Sequence, residues 1–275
     1  FLMKAESPGP SVEKLVPRVR TTATILYGVY TIMTFVEIIL LYATGMSLFD
    51  SVTLSMGTAG TGGFGVLNDS VGSYAPHLQV IITVFMILFG INFNIYYLLL
   101  RKKPGAVLRS EELRAYLGII AASGLLIAWN IRKIFPDPLE ALRHSFFQVA
   151  SIITTTGYST VDFNVWPQFS TGILVLLMFV GACAGSTGGG MKVSRIVIMI
   201  KNMMKEIFLI NHPHGVRKIK LDGRTVERET LRSIHTFVVS YALIYVVSML
   251  LISLDNFDFT TNFTAVAATI NNIGP

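Results

Sequence analysis

Ile153-Thr154-Thr155-Thr156-Gly157-Tyr158 is the segment with the clearest chemical capacity in this sequence. A row of backbone carbonyls can replace the water shell of a potassium ion. Glycine reaches backbone angles that other residues resist. Threonine adds a hydroxyl on a stiff side chain, and Tyr158 stands where it can brace the turn. Thr61-Gly62-Gly63-Phe64 has the same form, and Asn272-Ile273-Gly274-Pro275 is a divergent third version. One such motif is equally compatible with an ordinary loop turn. Three at matching offsets are not: Gly63 follows Ser51, Gly157 follows Ser145 and Gly274 follows Asn262, each by twelve positions. A repeat with fixed internal spacing constrains the whole fold. The candidate ion-binding residues are Thr61, Gly62, Gly63, Phe64, Thr155, Thr156, Gly157, Tyr158, Asn272, Ile273 and Gly274, with potassium held by their carbonyls.

A second segment is Gly181-Ala-Cys-Ala-Gly185-Ser186-Thr187-Gly188-Gly189-Gly190-Met-Lys192, with five glycines in its first ten residues. Each glycine costs about 1 kcal/mol in a helix interior, so the helix that starts at Phe169 must stop here. A phosphate loop needs Lys directly after its last Gly, with Ser or Thr next; Met191 intervenes. Close helix packing through Gly181 and Gly185 is the bland reading. The functional reading is a flexible loop below the filter that obstructs a pore. Lys192 either repels a cation or holds the loop, or else it snorkels to the aqueous face.

The elements that position these segments are apolar. Hydrophobic residues make up 52% of the 275, charged residues 14%, and the mean hydropathy is +0.60. An ordinary soluble domain carries about 25% charged residues, so a cytosolic enzyme and a disordered chain are both poor fits. Pro76 to Leu100 has 25 residues without Asp, Glu, Lys or Arg, and Ser233 to Leu254 has 22. Thr21 to Met46, interrupted by Glu37, is a third span; Ala115 to Ile131 is a fourth; a fifth starts at Phe169. Each is expected to cross the hydrocarbon as a helix of about 20 residues. Ser51–Asn68, His144–Val161 and Asn262–Pro275 are too short and too rich in Gly, Thr and Asn, and read as re-entrant segments. A short helix in each aims its negative C-terminal end at a cation. The expected class is an all-α membrane protein of repeated helix–pore helix–helix units, divided at 1–110, 111–225 and 226–275. The one cysteine, Cys183, allows no intramolecular disulfide and reads as a small packing residue.

Charge sets the orientation. The loops on the side of the Gly turns hold Arg132, Lys133 and Arg143, three of the 22 basic residues. Nearly all the others lie on the opposite side, which is therefore expected to be cytoplasmic. The net charge of +6 is then topology and not a nucleic-acid footprint. Asp50, Asp69, Asp137, Asp162, Asp255 and Asp258 lie on the outer side, where they either concentrate cations or are simply solvated.

Thr-Ala-Gly-Thr-Gly-Gly-Phe-Gly65, Ile-Ile-Thr-Thr-Thr-Gly-Tyr-Ser-Thr160, the glycine segment ending at Lys192 and Ala-Ala-Thr-Ile-Asn-Asn-Ile-Gly-Pro275 together resemble the TrkH branch of the Trk/Ktr/HKT potassium transporters. The resemblance covers essentially the whole chain. It implies four repeats set pseudo-fourfold around one pore, with one filter glycine in each: by position, Gly63, Gly157 and Gly274. It also implies that the broken helix is an intramembrane gate, with Gly181, Gly185, Ser186, Thr187, Gly188, Gly189, Gly190 and Lys192 as its residues. The first repeat and the end of the fourth then fall outside this sequence, which reads as a fragment. The implied setting is a bacterial cytoplasmic membrane. The implied partners are lipid, a second copy in a homodimer and a cytosolic TrkA-like nucleotide-binding ring. Potassium is cargo, and no organic cofactor belongs to this chain.

Other residues weigh less. Glu37 suits a proton or ion relay, though pairing within the bundle is the favoured reading. His212-Pro-His214 lacks the further ligands of a metal site. Arg217-Lys-Ile-Lys220 with Asp222-Gly223 reads as a cytoplasmic hairpin that touches anionic lipid or a partner, or is merely solvated. A sodium- or proton-coupled relative remains a rival, as does a broken-helix transporter for another solute, although that design expects inverted repeats. An intramembrane enzyme would need a nucleophile–base pair or metal ligands within the spans, and none stands out.

Overall fold

The structure is a computed structural model describing residues 19–102, 104–212, 215 and 218–274. Long helix α1 (Val19–Ala43) leads into short helix α2 (Leu48–Ala59). Helices α3 (Pro76–Phe89), α4 (Phe93–Leu100) and α5 (Pro104–Arg109) follow. Long helix α6 (Glu111–Ile131) precedes α7 (Pro138–Ile153), and α8 (Gln168–Val180) precedes α9 (Val193–Asn211). Long helix α10 (Arg228–Ile252) and short helix α11 (Phe259–Ile270) complete the order. The pattern long helix, short helix, Gly turn thus occurs three times.

Each short helix starts at a side-chain cap, as its sequence dictates. Ser47 accepts from the Asp50 N–H, Asp137 from the Leu139 N–H, and Asp258 from the Thr261 N–H. These oxygens satisfy amides that a helix start leaves open. The hydrogen bonds from Thr261 also hold the Asp258 carboxyl below its ordinary pKa.

Helices α1, α6 and α10 are long and apolar enough to cross a membrane. Their outward faces carry Phe35 and Ile39 on α1, Leu125 on α6, and Leu243, Leu250 and Leu251 on α10, all exposed. A continuous apolar exterior of this kind suits lipid and not water. The chain is an all-α, multi-pass membrane protein. Its described strands form one two-stranded hairpin, Lys220–Leu221 against Arg224–Thr225, turned by Asp222 and Gly223 at φ 51° and 79°. That is the hairpin expected around Asp222-Gly223; Arg217 lies outside the described residues.

One expectation is corrected. Pro76–Leu100 is not a single straight span: α3 and α4 meet at a bend of 89°. Gly90 ends α3, and Asn92 opens α4 by accepting the Asn94 N–H at 2.9 Å. The Tyr116 hydroxyl of α6 donates to the Ile87 carbonyl at 3.1 Å and fills the space beside Gly90. The break faces the glycine segment that follows α8, which decides the site described below.

Helices α6 and α7 pack tightly because Gly124 has no side chain. A Cβ there would lie 2.9 Å from two carbons of the Phe146 ring. Gly118, on the same helix, faces open space. Gly124→Leu should therefore cost about 1–3 kcal/mol of stability through overpacking, whereas Gly118→Leu should stay within about 0.5 kcal/mol. Thermal unfolding of the detergent-solubilised protein checks the difference.

Candidate ion filter and intramembrane loop

The three short helices end in the same way. Ala59, Ile153 and Ile270 are their last residues, each four positions before Gly63, Gly157 and Gly274. The Gly62 N–H bonds to the Gly57 carbonyl at 2.8 Å, Thr156 to Ser151 at 2.9 Å and Ile273 to Ala268 at 2.9 Å. One residue earlier, Thr61, Thr155 and Asn272 bond back to Thr58, Ile152 and Thr269 at 3.2, 3.1 and 3.2 Å. This pair of bonds is the usual helix-ending motif, whose turning residue is normally Gly in the left-handed region. Here the turning residues are Thr61, Thr155 and Asn272, at φ 51°, 61° and 56°. A β-branched residue with positive φ is a genuine outlier, and such strain costs on the order of 1–3 kcal/mol. Two threonines carry it at the same point of the repeat.

The turns meet backbone to backbone. A Cβ on Gly63 would overlap the Thr156 carbonyl oxygen, and one on Gly157 would lie 2.5 Å from the Gly274 Cα. A Cβ on Gly274 would lie 2.5 Å from the Gly62 carbonyl oxygen. Gly63 and Gly157 also need positive φ, 71° and 93°. Thr61, Gly62, Gly63, Thr156, Gly157 and Gly274 thus gather at one place. Tyr158 lies behind them, 0% exposed, its hydroxyl donating to the Leu54 carbonyl of α2 at 3.0 Å. It ties one turn to the short helix of another. Its counterpart Phe64 is 69% exposed and braces nothing described.

The glycine segment sits against this cluster. Helix α8 has 13 residues and stops at Gly181. The segment closes on itself: a Cβ on Gly181 would lie 2.5 Å from the Gly189 carbonyl oxygen, and the Val193 N–H reaches the Ala182 carbonyl at 3.0 Å. It touches all three turns. The Thr61 hydroxyl reaches the Thr187 carbonyl at 3.4 Å, and the Gly189 N–H donates to the Thr155 hydroxyl at 2.7 Å. A Cβ on Gly189 would overlap the Asn271 carbonyl oxygen, and one on Gly188 would lie 2.8 Å from that of Thr154. The Lys192 ammonium donates to the Gly188 carbonyl, so of its open readings the holding role is the one with a contact. Across the loop, the Cys183 N–H bonds to Gly90 at 3.0 Å, and the Phe93 N–H bonds to Gly185 at 3.1 Å. The break in α3–α4 and the break in α8–α9 thus complete each other's backbone bonding.

With this geometry in view, the comparisons decide the family. The model of the family described as TrkH, cation transport protein, matches residues 1–126 and 136–275. The chain belongs to the TrkH family. It is 36% identical over 280 residues to the Trk system potassium uptake protein TrkH of Salmonella typhimurium, covering 100% of this chain and 58% of that protein. It is 32% identical to the Trk system potassium uptake protein TrkG of Escherichia coli, covering 99% and 57%. The crystal structure of the potassium transporter TrkH from Vibrio parahaemolyticus matches with a TM-score of 0.90 at 31% identity, covering 100% of this chain and 60% of that one. The chain therefore spans under two thirds of the length of these TrkH-family relatives.

Two carboxylates depart from the sequence reading. Glu37 was expected to pair within the bundle. It lies beside Thr58, 0% exposed, and neither carboxyl oxygen has a hydrogen-bonding partner among the described residues. The Thr58 hydroxyl is spent on the Leu54 carbonyl. Glu112 was not singled out at all, because an acidic residue in the first turn of α6 looks like an ordinary helix start. It is 7% exposed and holds the glycine segment. The available signal was its place beside an apolar span, where ionisable residues are costly. His212 stacks on Phe208, with ring centroids 4.5 Å apart, while His214 lies outside the described residues.

The contact between loop and turns yields a prediction. Gly189→Ala meets the Asn271 carbonyl and should destabilise the folded protein by about 1–3 kcal/mol. Gly172→Ala on α8 meets nothing within 4 Å and should be neutral or slightly stabilising. Paired unfolding midpoints read the difference.

Proposed function

We propose that this chain forms most of a potassium pathway across a bacterial cytoplasmic membrane. Potassium is cargo, coordinated by the carbonyls around Thr61–Gly63, Thr155–Gly157 and Asn272–Gly274. The observation that carries the reading is the convergence of three turns of the same left-handed geometry, each at the end of a short capped helix and two of them strained at threonine. Repetition supplies a ring of carbonyls, strain fixes their direction, and the helix ends add negative potential where a cation sits. The names of the relatives, which specify potassium uptake, support the choice of ion.

The segment Gly181–Lys192 is the gate in this reading. It lies against the filter turns from one side and obstructs what passes between them. Its glycines make refolding of the segment cheap relative to a helix, while its hydrogen bonds make the closed arrangement specific. The basic loops face the cytoplasm and meet anionic lipid headgroups and a TrkA-like nucleotide-binding ring. Nucleotide binds to that partner. The full-length protein assembles as a homodimer, with four repeats set pseudo-fourfold around each pore.

Gly157→Ser in the full-length protein tests the filter. The added Cβ meets Gly274 in a backbone conformation that L-residues resist. The preference for K⁺ over Na⁺ should fall by at least about tenfold, a loss of about 1.4 kcal/mol of discrimination. Competitive flux in proteoliposomes measures it. An unchanged preference in an assembled protein overturns the assignment.

A further inference from the structure

We propose that Glu112 is the latch that holds the glycine loop closed, a positioning residue that acts on ion flow through the loop. This inference rests on the gating role given above to Gly181–Lys192.

Helix α6 opens with Ser110 as its cap and then Glu111 and Glu112. The two glutamates behave differently. Glu111 remains partly exposed and pairs with Lys201 of α9, as expected for a first-turn acid. Glu112 points inward, on the same buried face as Tyr116 and Ile120. A buried carboxylate persists only where donors replace its water. The donors here are all in or beside the loop. Oε1 accepts the Ala184 N–H at 2.7 Å and the Ser194 N–H at 3.2 Å. Asn92, in the break between α3 and α4, also lies against it.

The two donors lie on either side of the glycine run. Ala184 precedes Gly185. Ser194 follows Lys192 in the first turn of α9, where an N–H has no acceptor within its own helix. One oxygen therefore closes the base of the loop and binds it to α6. Bonds from neutral N–H groups to a carboxylate are roughly twice as strong as neutral pairs. At the tip, by contrast, the loop meets the turns through a 3.4 Å contact from Thr61 and a bond to Thr155. The base of the loop is held by two bonds to one carboxyl oxygen, and its tip by one bond and one longer contact. Removing this acceptor should therefore loosen the base of the segment, leaving it to the bonds with Gly90 and Phe93.

The chain carries its own reporter. Cys183 is its one cysteine, adjoins Ala184, and is 1% exposed. A latched loop shields this thiol, and a released loop presents it to solvent. The experiment uses the full-length protein in proteoliposomes, with any cysteine outside residues 1–275 replaced. Cys183 modification by a small methanethiosulfonate and basal Rb⁺ flux are read together. Losing the charged acceptor should shift the closed-to-open ratio by about tenfold, or about 1.4 kcal/mol. Glu112→Ala should then show modification about tenfold faster and a matching rise in basal flux, with Glu112→Gln intermediate because it keeps the shape and a neutral acceptor. A folded Glu112→Ala protein whose Cys183 reacts at the wild-type rate overturns the latch. If Glu112→Ala does not assemble, Glu112→Gln decides: modification about threefold faster or more sustains the latch, and the wild-type rate overturns it. Deleting Gly185–Gly190 separates the two hypotheses. Unchanged flux in that deletion sinks the gate while leaving the Cys183 result to judge Glu112. Raised flux in the deletion beside a silent Glu112→Ala sinks only the latch.

Discussion

Backbone amides and carbonyls in an apolar surrounding must find partners within the protein. The rest of this structure depends on that constraint. Three kinds of irregular backbone lie among the spans: the Gly turns, the glycine loop and the break at Gly90–Asn92. None satisfies itself completely. The loop's Cys183 N–H is met by Gly90, the Phe93 N–H of the break by Gly185, and the loop's Gly189 N–H by Thr155. Each irregularity supplies the partners that the others lack. The three are therefore one structural unit, although they come from separate stretches of chain.

This explains what was legible in the sequence and what was not. The Gly turns and their short helices were legible because they repeat: Gly63, Gly157 and Gly274 each stand twelve positions after Ser51, Ser145 and Asn262. The loop was legible because five glycines in ten residues cannot be helix. The bend at Gly90 was not, since one glycine in a long apolar run reads as a tolerated helix residue. Its cause is distant in sequence: Tyr116 presses beside Gly90, and Cys183 and Gly185 take up the freed backbone groups. Glu112 was hidden for the same reason, because its partners lie 72 and 82 residues along the chain.

Glu37 shows the limit of pattern from another side. Its place in an apolar span correctly marked it as unusual, and the usual remedy, a partner, was the natural expectation. The Thr58 hydroxyl beside it is committed elsewhere: it donates to the Leu54 carbonyl, as the Tyr158 hydroxyl does. Both bonds serve the last turns of α2 and the bracing of the Gly turns. The sequence contains the donors, but their geometry is fixed by a stronger local demand.

The strain at Thr61 and Thr155 ties the Gly turns and the loop together energetically. Glycine in these positions would turn the chain without steric strain, yet it would offer no hydroxyl. Both threonine hydroxyls reach the loop, one to Thr187 and one from Gly189. The bonds that help a β-branched residue persist in the left-handed region are therefore the same bonds that press the loop against the turns. Moving the loop away removes two partners from the turns at their most strained residues, and slackening the turns loosens the tip of the loop. The Asn272 turn lacks such a hydroxyl. Its segment meets the loop through the Asn271 backbone, with the Asn271 side chain held by Tyr241 at 3.0 Å. The coupling between turns and loop is thus unequal around the site: hydrogen-bonded on the two threonine turns, and steric on the third.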